Sequence, residues 1–372
     1  MRHLGAQDSA TLFGMLTPLV AFSCLIGIHQ TPPNSRPVGP IEGETHLANV
    51  RQLTFGGQNA EAYWNIDGTK LVYQARVPGA AYPDEQIFEM NADGSDKKLV
   101  STGKGRCTCS YFTPDGKYIY LSSTHARNPG PQAPVDRSKG YVWAINPDYA
   151  MYRIPSDATF HDDGNALELF RPVVNLPDHY VAETTIAPNG RYMVWTSDFE
   201  GDLEIYRSDL NGRHIKRLTH EVGYDGGPFV SWDSKKIVFR RDAFDNDSQV
   251  KDYQDLLKAH MIRPSKLEIW IMDADGRNKH QVTHLGCASF APFLHPDGKR
   301  IAFSSNYGDP KGREFDVFTI NVDGTGLERI THSKDFDGFP MFTRDGKRLV
   351  FASDRNATQP YETNIFVADW KN

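Results

Sequence analysis

The chain has 372 residues, of which 39% are hydrophobic, 12% aromatic and 24% charged. This globular mixture excludes collagen-like, coiled-coil and wholly disordered architectures. Lys and Arg total 41 against 47 Asp and Glu, a net charge of −6, so no basic excess exists to neutralise a phosphate backbone and nucleic-acid binding is excluded as the main task.

In chain order, the first feature is an apolar run. From Ser9 to Ser35 there is no Lys, Arg, Asp or Glu; Arg2 and His3 precede the run and a Pro-rich segment follows it. Residues 1–30 read as a signal peptide, with Ala21-Phe22-Ser23 as the small-x-small cleavage site, or as an N-terminal membrane anchor. Cys24, directly after that site, raises a lipid anchor as well. Residues 31–47 then form a linker, and the expected location is the periplasm or cell envelope. Cys107, Cys109 and Cys287 contain no C-x-x-C spacing, which excludes a zinc ribbon or thioredoxin-like motif. Cys107 and Cys109 lie at alternate positions of a predicted strand and are expected to share a face.

The remainder is repetitive. A polar turn, a basic residue and an apolar-aromatic strand recur as Asp67-Gly-Thr-Lys-Leu-Val-Tyr73, Asp115-Gly-Lys-Tyr-Ile-Tyr120, Asn189-Gly-Arg-Tyr-Met-Val-Trp195, Asp233-Ser-Lys-Lys-Ile-Val-Phe239, Asp297-Gly-Lys-Arg-Ile-Ala-Phe303 and Asp345-Gly-Lys-Arg-Leu-Val-Phe351. Asp-Gly and Asn-Gly supply the positive φ of a two-residue hairpin turn. Adjacent apolar residues precede each turn, as in Tyr63-Trp64 and Met341-Phe342, so both faces of those strands are buried. An aliphatic-aromatic pair marks a third strand (Ile87-Phe88 in the first copy, Ile365-Phe366 in the last). A second Gly turn, Asp163-Gly164 in the second copy, leads to an outer strand such as Leu218-Thr219 or Ile330-Thr331. Six such meanders predict an all-β, six-bladed propeller over residues 48–372. The last copy ends before its outer strand, whereas Val50-Arg-Gln-Leu-Thr-Phe55 is an orphan copy of one. The N-terminal strand is therefore expected to complete the last blade, removing two sheet edges.

These Leu-Thr, Pro-Asp-Gly-Lys and Asp-Gly units resemble the WD40-like (PD40) repeats of TolB-type propellers over about residues 48–372. The resemblance implies the fold and leaves the activity open. TolB carries a separate N-terminal α/β domain before its propeller; the roughly twenty residues between the apolar segment and the first strand here are too few for one.

In such a meander, the turns between strands 2 and 3 and the inter-blade links share one side. Two insertions, His125 to Asp148 and Asp242 to Lys266, project there. The first reads as an irregular flap; the second carries Val250, Tyr253, Leu256-Leu257 and Met261 at helical spacing, an amphipathic helix over something apolar. The eighth residue back from each first-strand turn is Asn59, Cys107, Val181, Asp225, Ser289 or Asp337, and Glu61 and Glu183 follow two positions later. The inner strand makes these links ring the channel mouth, so Glu61, Glu183, Asp225, Ser289 and Asp337 are candidate ligand-binding residues. Converging carboxylates call for a divalent cation or a basic ligand group as counter-charge, or else they cap backbone amides in turns. His220, His284 and His332 recur after the Leu-Thr ending; with Asp225 and Asp337 they are candidate metal ligands, although an outer strand favours a structural role.

No G-x-S-x-G, metalloprotease or Walker A pattern occurs. The expectation is a non-catalytic exported propeller that binds a protein, peptide or glycan at the channel mouth. The alternative, implied by similarity to oligogalacturonate lyase-like propellers, is a metal-assisted polysaccharide lyase or hydrolase with ligands and a general base drawn from the same carboxylates and a histidine.

Overall fold

Asp-Gly turns set the meander going, and they are wider than two residues. In the first copy Asn65 N–H donates to Lys70 O at 3.0 Å and Gly68 N–H to Asn65 O at 3.0 Å, so four residues turn and the glycine takes the left-handed step, φ 65°. The fourth copy has Ser234 there, and it adopts φ 63°.

The computed structural model describes residues 34–39, 41–82, 84–158, 169–334 and 336–371. The apolar signal or anchor segment and the Asp163-Gly164 turn lie outside the described residues. Six antiparallel sheets run inner to outer in chain order. Blade 1 is Gln58–Trp64, Lys70–Arg76, Gln86–Asn91 and Lys98–Leu99. Blade 2 is Cys107–Phe112, Tyr118–Ser123, Ala150–Pro155 and Arg171–Val174, and blade 3 is Val181–Ile186, Met193–Ser197, Glu204–Ser208 and Lys216–Arg217. Blade 4 is Asp225–Val230, Lys236–Asp242, Leu267–Asp273 and His280–Gln281; blade 5 is Ser289–Leu294, Arg300–Ser305, Asp316–Asn321 and Glu328–Arg329. Blade 6 has Asp337–Phe342, Arg348–Ser353 and Asn364–Trp370. Against its third strand lies Leu47–Gln52, antiparallel, with Leu47 opposite Trp370 and Gln52 opposite Phe366.

The Leu-Thr element explains itself in this arrangement. The Thr219 hydroxyl accepts the Ile205 N–H at 2.9 Å, Thr283 accepts Ile269 N–H at 2.8 Å and Thr331 accepts Val317 N–H at 2.8 Å. Ser101 does the same for Ile87 in blade 1, at 2.9 Å. Thr54 of the N-terminal strand accepts Ile365 N–H at 2.8 Å, doing in blade 6 what Thr219 does in blade 3. Each hydroxyl thus ties an outer strand to a third-strand amide that the short ladder would leave unpaired. Thr283 also donates to Glu268 Oε2 at 2.6 Å.

Part of the segment read as a linker belongs to the sheet. Arg36–Pro37 pairs with Arg51 and Gln52 as a fifth strand of blade 6. Glu44 is buried and accepts from Arg355, whose Nη2 lies 2.8 Å from Glu44 Oε1 and 3.1 Å from Asp337 Oδ2.

The two insertions clasp each other. Trp143–Ala144 from the first pairs antiparallel with Met261–Ile262 from the second, and Ile145 N–H donates to His260 O at 2.8 Å. The flap therefore contains ordered strand, and Met261, expected to continue the helix, is in the clasp instead. The helix is Asp247–Lys258, capped by Asn246, whose side chain accepts the Gln249 N–H. It buries Tyr253 and Leu256; Tyr253 joins a rim cluster that includes Tyr180, Leu203 and Tyr224, with Leu257 packed against it, and the Tyr253 hydroxyl donates to Asp202. No helix among the described residues is long and apolar enough to cross a membrane.

Thr283→Val keeps the shape but strands the Ile269 N–H and leaves Glu268 Oε2 with the Leu285 N–H alone. It is expected to cost about 1–3 kcal/mol in urea unfolding, with Thr283→Ser close to wild type.

Candidate functional site

Every inner strand carries an irregularity at the same height. The register slips between Ala60 and Tyr63, Thr108 and Tyr111, Ala182 and Thr185, Gly226 and Phe229, Phe290 and Phe293, and Gly338 and Met341. Within each slip one residue is left-handed: Glu61 (φ 51°), Cys109 (53°), Glu183 (61°), Gly227 (56°), Ala291 (50°) and Phe339 (56°). A bulge re-aims the side chain it carries, and these six residues all line one cavity of about 310 Å³ at the channel mouth.

The bulge also separates residues that plain alternation would keep together. Asn59, Cys107, Val181, Asp225, Ser289 and Asp337, two positions earlier, are at most 4% exposed and do not line the cavity. The Cys107 thiol bonds to Ser123 Oγ at 3.2 Å inside blade 2, whereas Cys109 faces the cavity; the two do not share a face. Ser289 Oγ lies 2.9 Å from Ser305 Oγ. Asp337 is neutralised by Arg355. Asp225 stands 3.5 Å from Arg241 Nε; burial pushes its carboxyl well above the usual range despite that arginine. Of the candidate ligand-binding set, then, only Glu61 and Glu183 reach the cavity.

The metal-ligand set is dispersed. His220 and His284 are exposed and His332 half-buried at the outer ends of different blades, and the described residues contain no group of three or more His, Cys, Asp or Glu arranged to hold a metal ion. The outermost strand carries the histidines away from the axis, while Arg241 and Arg355 occupy the two aspartates.

Around the mouth the six bulge positions divide by polarity. Blades 1 to 3 contribute Glu61, Cys109 and Glu183; blades 4 to 6 contribute Gly227, Ala291 and Phe339. Glu183 is fully engaged, accepting from the Tyr224 hydroxyl, from Gly227 N–H at 2.7 Å and from Arg240. Burial alone would raise its pKa, but Arg240 and these hydrogen bonds hold the carboxyl below its ordinary value. Glycine is required opposite: a Cβ on Gly227 would lie 2.0 Å from Arg240 Nη1, and one on Gly226 would lie 2.7 Å from Glu183 Oε2.

Glu61 is the contrasting acid. Burial, with the Glu183 charge adding to it, pushes its carboxyl up to about 7, against a hydrogen bond from Cys109 and the charges of Arg240 and Arg106. Opposite stands an aromatic wall in which Phe290 meets Phe339 at 5.5 Å and Trp143 edge-on at 5.9 Å between ring centroids. Trp143 comes from the insertion clasp and roofs the cavity, and the Arg240 guanidinium lies 5.6 Å from its ring. Below, Tyr63, Tyr111, Phe229 and Phe293 pack ring on ring at 5.1–6.0 Å, so the cavity ends blind. Sequence reasoning missed this wall and Arg240. The signal was present in the column two residues beyond the counted one, which reads Glu, Cys, Glu, Gly, Ala, Phe.

No family model matches the chain. The uncharacterized protein Atu1656 of Agrobacterium fabrum is 25% identical over an alignment of 228 positions that covers 55% of this chain and 69% of that protein. Among solved structures, a protein assigned as TolB from Agrobacterium tumefaciens superposes with a TM-score of 0.54 at 18% identity, covering 85% of this chain and 91% of that one. TolB from Acinetobacter baumannii also gives 0.54 at 18% identity, over 82% of this chain and 64% of that one. The fold is a TolB-like six-bladed propeller. An oligogalacturonate lyase from Vibrio parahaemolyticus shares the fold more distantly, with a TM-score of 0.50 at 12% identity over 90% of this chain and 96% of that one.

The raised carboxyls outweigh the buried histidines in the pH dependence of the TolB-like propeller: burial lowers His125 to about 4 and lowers His295 as well, which acts in the opposite sense up to about pH 6.5. Glu61, Asp242 and Asp316 are each pushed up to about 7, chiefly by burial. Between their ordinary values and about 7, the folded chain holds protons that the unfolded chain has released, so stability falls as pH rises through that window. Tm in a calorimeter is expected to be higher at pH 5.5 than at pH 8. Glu61→Gln, which removes one buried charge, is expected to raise Tm at pH 8 and leave it nearly unchanged at pH 5.

Proposed function

We propose that this chain is an exported, non-catalytic TolB-like propeller that binds a protein, peptide or glycan at the channel mouth by receiving one projecting group of the ligand. The observation that supports this is the blind cavity of about 310 Å³, built from all six inner strands and roofed by Trp143 of the insertion clasp. Its size falls at the small end of ligand sites, suited to a side chain or single residue and too small for a globular partner to enter. Inner strands position its walls and the clasped insertions add Trp143, a loop contribution on a strand scaffold that is common in binding proteins. Export rests on the apolar N-terminal segment alone.

The test is a ligand-observed NMR fragment screen with competition. Hits that bind wild type and fail to bind Ala291→Trp, whose ring would fill the cavity, support the reading, provided the variant keeps wild-type Tm. Hits unaffected by Ala291→Trp would remove the mouth as the site. Turnover of an acidic oligosaccharide that requires an added divalent cation and is lost in Ala291→Trp would favour the lyase alternative.

A further inference from the structure

Three charged groups line the mouth, and two are already spent on each other. Arg240 is neutralised by Glu183, and its guanidinium lies 4.7 Å from the Tyr224 ring and 5.6 Å from that of Trp143. Glu183 has its oxygens filled by Tyr224, Gly227 and Arg240. Glu61 stands otherwise: among the described residues no Lys, Arg or His nitrogen lies within ion-pair distance of it, and its neighbour in the cavity lining is Cys109 of the next blade. The other half of the cavity is apolar, with Phe290, Phe336, Phe339 and Ala291 facing the acid across the mouth.

A carboxylate without a cation, set in a ring of aromatic faces, has a defined chemical complement. Aromatic faces attract a desolvated cation through their quadrupole, and the carboxylate supplies the counter-charge. An anion would meet Glu61 and Glu183 together; a neutral polar group would leave the Glu61 charge buried and uncompensated.

Resting on the binding reading above, we propose that the group received at the mouth is a protonated primary amine on an apolar stem. Its ammonium pairs with Glu61 on the side of blades 1 to 3, and its stem lies along Phe290 and Phe339 on the side of blades 5 and 6, beneath Trp143. This chemistry comes either from a lysine side chain of a polypeptide or from a free alkylamine. Glu61 is faced by Glu183 from blade 3, Arg240 from blade 4, Arg106 and Cys109 from blade 2 and Tyr63 from its own strand. Only its ionised form pairs with the amine. Binding is therefore expected to level off above about pH 7 and to weaken about tenfold per pH unit below it.

Calorimetric titration with three isosteric probes tests this: 4-phenylbutylamine, 4-phenylbutanol and 4-phenylbutyrate. The amine is expected to bind at least tenfold more tightly than the alcohol at pH 8, and the acid more weakly than either. Glu61→Gln should remove the amine's advantage and spare alcohol binding, and its Tm at pH 5 reports that it is folded. A lysine-containing tripeptide with blocked ends, compared with its acetyl-lysine form, separates the sources. Tighter binding of the lysyl peptide than of the free amine assigns a polypeptide, the reverse order assigns a small molecule, and both support the charge chemistry. If alcohol and amine bind equally and both are lost in Ala291→Trp, the amine assignment is overturned while the mouth remains the binding site. If no probe binds, wild type included, both readings fall.

Discussion

Six strands cannot run straight toward one axis without crowding, and in this chain every inner strand yields at the same height. One extra residue is inserted, it takes a left-handed backbone, and its side chain swings into the channel mouth. For the five that are not glycine this conformation costs roughly 1–2 kcal/mol each, a strain that the surrounding ladders and inter-blade packing hold in place. The candidate site is a direct product of that constraint. Its rim is one structural position read six times, and its chemistry is whatever residue each blade carries there.

The second constraint is charge compensation. Buried acids are numerous at the blade seams, and several are answered within the scaffold: Asp337 by Arg355, Glu204 by Arg217 and Glu183 by Arg240. These pairs fix elements in place. Through Arg355, Glu44 ties the segment before the N-terminal strand to the first residue of blade 6, and through Arg240, Glu183 joins blades 3 and 4 beneath the mouth. Glu61 has no ion pair among the described residues, and of the two carboxylates lining the mouth it is the one without a guanidinium beside it.

Counting along the repeat brings Glu61 and Glu183 to the mouth for an incomplete reason. Glu61 and Glu183 were found because the mouth of a propeller is set by the inner-strand links, a property of topology. Asp225, Ser289 and Asp337 were grouped with them because alternate residues of a strand share a face, and a bulge breaks that rule. The histidines at 220, 284 and 332 were correctly read as equivalent to one another, and equivalence on an outer strand means separation. The two insertions were legible by length, and the helix by its spacing. Their pairing was not, because a two-residue strand has no periodicity to detect.

What the sequence alone determined is the repeat: the turns, the apolar strands, the hydroxyl at the end of five of the six outer strands and hence the number of blades. These are local preferences, repeated until a closed arrangement is the way to bury them. Tertiary structure decided which side chains meet. Whether a carboxylate ends in a seam beside an arginine or in a cavity beside aromatic rings depends on a single left-handed residue, and on neighbours contributed by strands about forty to two hundred and eighty residues away. No local pattern encodes either. The left-handed step is imposed on residues as different as Glu and Phe by the crowding of six strands, and that crowding exists only once the blades have come together.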